Sequence, residues 1–155
     1  MKKLILFAIA IAIGLTACGT TTTTAPPTPS GGMTASEKAE VQYVSQGLQA
    51  IVTVYTDLAE NLKAGNTAGI KSDVDAWNTI ANDWNARPAV GGNVQHLEDL
   101  YGKAGNSLQQ LFVDVSAILN GSDYTPAMKQ DIADCVAAIN ACQQELDDLT
   151  LVNAI

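Results

Sequence analysis

VQHLEDLYGKAGNSLQQLFVDVSAIL, residues 94–119, is the stretch that decides the fold. Val94, Leu97, Tyr101, Ala104, Leu108, Leu111, Val115 and Ile118 recur at strictly alternating steps of three and four. A helix turns once in about 3.6 residues, so this spacing places all eight on one face. Leu100, Phe112 and Leu119 widen that face. Asn93 is the predicted N-cap, and Asn120-Gly121 the stop.

The same rhythm appears three more times. Upstream, Val41, Val44, Leu48, Ile51, Tyr55, Leu58 and Leu62 form a stripe. Thr34-Ala35-Ser36-Glu37 before it matches a capping box, and Gly65 after it suits a left-handed stop. A second helix over about 67–86 carries Ile70, Val74, Trp77, Ala81 and Trp84, with Ile80 alongside. It ends at Arg87-Pro88, because the residue before proline is pushed out of the helical region, and Gly91-Gly92 completes the turn. Downstream, Thr125-Pro126 opens a helix with threonine as cap and proline at the first position, where its missing N–H costs nothing. Met128, Ile132, Cys135, Ile139, Cys142, Leu146 and Leu149 follow. Four amphipathic helices with short connections predict an all-α, antiparallel up-down four-helix bundle. The alternatives are a three-helix core with the second helix packed loosely, and a long two-helix coiled coil that dimerises.

The N-terminus reads differently. Lys2 and Lys3 precede an apolar run from Leu4 to Leu15, then Thr16, Ala17 and Cys18. A bilayer-spanning helix needs about 20 apolar residues, so the run is a secretory h-region rather than a span. Leu15-Thr16-Ala17-Cys18 resembles the lipobox of bacterial lipoprotein precursors. That resemblance covers about the first 19 residues and implies cleavage between Ala17 and Cys18, with lipid carried on the Cys18 sulfur and amine. Two or three acyl chains give stable anchoring where one is marginal. Gly19 stands where an aspartate often marks inner-membrane retention, so the resemblance favours the outer membrane, facing the periplasm. From Thr20 to Gly32 the chain reads TTTTTAPPTPSGG, with no large apolar residue to offset the entropy of ordering. The expected organisation is a signal peptide over 1–17, a lipidated cysteine and disordered tether over 18–33, and a helical domain over 34–155. The threonines are also candidate O-glycosylation sites.

Charge and chemistry narrow the function classes. Without residues 1–17 the chain keeps six basic residues against sixteen acids, a formal charge of −10. That sign repels phosphate backbones and anionic headgroups, which argues against nucleic acid as a partner and leaves membrane contact to the lipid. Cys135 and Cys142 lie seven residues apart, about 10.5 Å along a helix axis. A disulfide needs Cα atoms within about 7 Å, so both are expected as reduced core residues. No Glu-x-x-His pair or Cys-x-x-Cys-His motif occurs. The lone His96 falls on the outward side of its helix, away from both cysteines. Glu98-Asp99, Asp131 with Asp134, and Asp147-Asp148 read as solvated faces. No cofactor, metal or catalytic set is expected.

Gly47, Gly102 and Gly105 lie inside helices, where each costs about 1 kcal/mol relative to alanine. Gly47 and Gly105 flank the core stripes, which suits close packing of helices or a shallow partner groove. Tyr43 and Val54 at the rim of the first helix extend that candidate groove. The expected function is a lipid-anchored envelope module that binds a protein partner or assists assembly, by architectural analogy with pilotins. The second reading is a small apolar-ligand carrier lined by Trp77 and Trp84.

Overall fold

Helix α1 runs Ala35–Ala64 and starts where the capping box predicts. The Thr34 N–H donates to Glu37 Oε2 at 2.7 Å, and the Glu37 N–H donates to Thr34 Oγ1 at 3.2 Å. This computed structural model describes residues 32–152. The signal peptide, Cys18, Gly19 and nearly all of the tether lie outside the described residues, as do residues 153–155.

Gly65 ends α1 at φ 66°, a left-handed conformation open to glycine at no steric cost. Asn66 then caps α2, Thr67–Ala86, by accepting from the Gly69 N–H at 3.1 Å. Arg87 is extended (φ −87°, ψ 139°), as a residue before proline must be. A short 3₁₀ turn, Gly92–Val94, leads into α3, Gln95–Leu119. Asn93 does not cap α3 with its side chain. Its backbone N–H donates instead to Glu37 Oε1 at 2.9 Å, so the first turn of α1 holds the entry to α3. Helix α4, Pro126–Val152, opens with Thr125 Oγ1 accepting from the Met128 N–H at 3.2 Å.

The four helices form an antiparallel up-down bundle, with no strand among the described residues. Its cross-section is a rhombus rather than a square. Helices α1 and α3 touch across the short diagonal, while α2 and α4 sit on opposite sides without meeting. The α3–α4 seam is the most extensive and α1–α2 is next, whereas α2 meets α3 only narrowly. Val44, Leu48 and Ile51 from α1, Leu97 and Leu108 from α3, and Cys135 and Cys142 from α4 are all within 1% of complete burial. Each buried aliphatic side chain contributes about 1.5–3 kcal/mol. Helix α2 fully buries only Ile70, Asp73 and Trp77, while Val74, Ile80, Ala81 and Trp84 pack half-buried against the core. Leu119, expected to widen the α3 stripe, is half exposed at the last residue of the helix. Among the described residues no helix is long and apolar enough to cross a membrane.

Candidate functional site

Polar side chains converge where α2 leaves the bundle. Glu40, on the first turns of α1, is 1% exposed and accepts from Arg87 Nη2 at 2.7 Å. The Arg87 guanidinium lies 3.6 Å above the Tyr43 ring, and its charged form is favoured first by the hydrogen bond to Glu40. The Tyr43 hydroxyl donates to Asp83 Oδ2 at 2.6 Å, and the Tyr43 ring stacks on Trp84. Burial, then the bond to Asp83, pushes the Tyr43 hydroxyl well above its ordinary value. Tyr101 from α3 closes the set with its edge against Trp84, the ring centroids 4.8 Å apart.

Two further carboxylates fix the connection between α2 and α3. Glu98, 4% exposed, accepts from the Val90 and Gly91 amides at 2.7 and 3.0 Å. Glu37 accepts from Asn93, as above. Hydrogen bonds from Thr34 and Asn93, led by the Thr34 amide and then the Asn93 amide, hold its carboxyl below the usual range. A carboxylate that would otherwise be costly to bury thus replaces lost backbone partners of a loop. Gly92 sits so close to Glu37 Oε1 that a Cβ would crowd the carboxylate, and its φ of 63° also favours glycine.

Beside this clasp the seam between α2 and α3 stands open. Two adjoining cavities occupy it, sharing Trp84, Asn85, Gly102 and Asn106. The larger, about 430 Å³, is bordered by Arg87, Pro88, Gln95, Asp99 and Lys103. The smaller, about 200 Å³, is walled by Ile51, Trp77, Ile80, Ala81, Tyr101 and Gly105. One end of the cleft is polar and the other apolar. Trp77 is tied to α3 at the apolar end: its indole N–H donates to Gln109 Oε1 and its ring lies over Gly105.

The structure redistributes the residues singled out in the sequence. Tyr43, Gly47, Val54 and Gly105 do not form one groove. Val54 is 6% exposed and belongs to the core, because α1 turns this side chain inward beside Tyr55 and Leu58. Gly47 is covered by the Tyr101 hydroxyl, and Gly105 by Trp77, so these glycines serve close approach of α3 to α1 and of α2 to α3. Trp77 and Trp84 do wall a cavity, but one at the surface seam rather than inside the core. His96 is exposed, 3.9 Å from Glu145. Among the described residues no group of three or more His, Cys, Asp or Glu side chains is arranged to hold a metal ion. Cys135 and Cys142 are free and buried, and burial pushes both thiols up to about 12. Glu40, Asp73 and Glu98 were not expected inside. Asp73 accepts from Asn61 Nδ2 at 2.9 Å across the α1–α2 hairpin.

Comparison with protein-family models, with curated proteins and with solved structures finds no match.

Proposed function

We propose that the chain is a lipid-anchored cell-envelope module that holds a partner protein in the α2–α3 cleft. The observation that carries this reading is the open seam itself. Three seams of the bundle close, while the fourth is left as a cleft with aromatic and amide walls beside a hydrogen-bonded polar clasp. Binding sites favour such concave places, with a few fixed polar groups set among apolar ones. The anchoring half of the proposal rests on the lipobox resemblance at Leu15–Cys18, and Gly19 favours the outer membrane.

The carrier reading has the Trp77–Trp84 wall in its favour. The apolar cavity is about 200 Å³, however, below the roughly 300–1,000 Å³ of small-molecule sites, and it opens to the surface. A partner's side chain suits that space better than a whole apolar ligand does.

The test is in-cell photo-crosslinking with a photoreactive residue in place of Asn106 or Asn85, at the mouth of the cleft. One stoichiometric adduct in the envelope fraction, not reproduced when the probe replaces Gln143 on the far side of α4, is the expected result. Equal adducts from both faces, or none, would remove the proposal.

A further inference from the structure

At the end of the bundle far from the clasp, two carboxylates meet across the α3–α4 seam. Asp114 lies three residues past Leu111 on α3, and Asp131 four residues before Cys135 on α4, so each flanks a core stripe. Both are half-buried. Asp114 Oδ1 accepts from Gln110 Nε2 at 3.3 Å. Asp114 Oδ2 has essentially no exposed surface and no donor, although the Asp131 carboxyl stands within hydrogen-bond reach of Asp114. The other ionisable groups toward this end leave the pair uncompensated. Asp134 on α4 accepts from Gln130 at 2.8 Å. Tyr124, in the α3–α4 connection, has its hydroxyl pushed up by burial and then by the Asp114 charge. Tyr55 of α1 is buried near Cys135, while Asp57 and Glu60 of α1 are exposed. Lys63 of α1, Lys71 of α2 and Lys129 of α4 are exposed too. Among the described residues the ion pairs are Arg87 with Glu40 and His96 with Glu145, so no cation is paired with either aspartate.

Two ionised carboxylates at this separation repel, and a buried oxygen without a donor is costly. We infer that Asp114 and Asp131 hold one proton between them, in an O–H···O bond that latches the far end of the α3–α4 seam and is released as pH rises. The proton gives Asp114 Oδ2 its missing partner and leaves one negative charge on the pair instead of two. Burial is the main cause that raises the Asp114 carboxyl above its ordinary 3.8; the Gln110 bond opposes it and Asp131 reinforces it. A folded-state value above the unfolded one makes the latch complete below the ordinary value, and the latch is lost as pH rises through the raised one. Glu37 has the opposite sign. Acid therefore loosens the clasp end of the bundle, and loss of protons loosens the other.

The experiment follows the side-chain carboxyl carbons of the folded chain by NMR from acid to mildly alkaline pH, with thermal unfolding measured alongside. Asp131→Asn is isosteric, and its amide can donate to Asp114 Oδ2 at any pH. Asp134→Asn removes one charge from the same helix without touching the pair. In the parent, Asp114 should titrate above 3.8, with the Asp131 resonance moving in the same step; in Asp131→Asn the Asp114 titration should drop. At neutral pH, Asp131→Asn should melt a few degrees above the parent, with the gap closing in acid, and Asp134→Asn should show no such gap. Titration of Asp114 at or below 3.8 in the parent would overturn the latch, and that measurement decides the matter even if a variant fails to fold. An equal gain from Asp134→Asn would overturn it as relief of general negative charge. Calcium that raises the midpoint of the parent at neutral pH, but not that of Asp131→Asn, would replace the proton with a cation.

Discussion

Single residues decide more here than their positions suggest. Gly47 and Gly102 have the same chemistry and opposite expected responses to alanine. Gly102→Ala meets open space and should stabilise by about 0.5–1 kcal/mol, through helix propensity alone. Gly47→Ala meets the Tyr101 hydroxyl and should destabilise, with the unfolding midpoint in denaturant falling at an unchanged slope. Equal signs for the pair would contradict the packing described. Glu37 makes a pH-dependent case. Its folded-state carboxyl is held below the ordinary 4.5, so its stabilisation is complete above that value. It is lost as pH falls through the lowered one. Glu37→Gln should therefore be less stable than the parent at neutral pH, and the gap should narrow as chemical denaturation is repeated toward pH 3. The three-four stripes were legible in the sequence because each is a local property of one helix. Glu40, Asp73 and Glu98 were not, since their partners arrive from elsewhere in the chain: Arg87 lies 47 residues from Glu40. A carboxylate at a helix position reads as solvated until its donor is known. Tyr43 and Val54 were misplaced for a related reason, because heptad position gives direction but not which neighbour stands there.

At the scale of elements, the contrast is between α2 and the helices of the short diagonal, α1 and α3. Helix α2 has three buried residues, whereas α1 and α3 have nine each. Its amides should exchange with solvent earlier than those of α1 and α3 in native-state hydrogen exchange, as a separate unit of lower stability. Simultaneous exchange of all four helices would show the α2–α3 seam to be tighter than its geometry implies. Helix α4 gives a second test. Cys135 and Cys142 lie at zero exposure, and burial pushes their thiols up to about 12, so little thiolate is present near neutral pH. Alkylation in native buffer should be slow at both and should become fast in denaturant, read by mass spectrometry. The helix boundaries were readable almost throughout, because Thr34, Gly65, Pro88 and Thr125 act through local chemistry. The exception is the start of α3, where Asn93 has the right side chain for a cap but its backbone is taken by Glu37. Trp77, Trp84 and Gly105, singled out in the sequence, do line the cleft, but nothing in the sequence placed it at the α2–α3 seam. It is the place where two stripes fail to meet, and each stripe alone looks complete.

For the whole molecule the question is where the bundle is held. If Cys18 carries the anchor, Cys18→Ser should release the full-length chain from the membrane fraction and abolish acyl labelling, with the thermal midpoint of the domain unchanged. Membrane retention without label would remove the anchoring proposal and leave the bundle as described. The bundle and the anchor are separable claims, because the fold follows from residues 32–152 and the anchor from residues outside them.

The Glu37 clasp has a mechanical consequence. The chain enters α1 at Thr34, and Glu37 bolts that entry to Asn93, while Glu40 bolts the next turn to Arg87. Tension applied between the leading segment and an occupant of the cleft would follow this short load path. It would strain a few charged rivets at one end of the bundle, and the long apolar joint between α3 and α4 would carry almost none of the force.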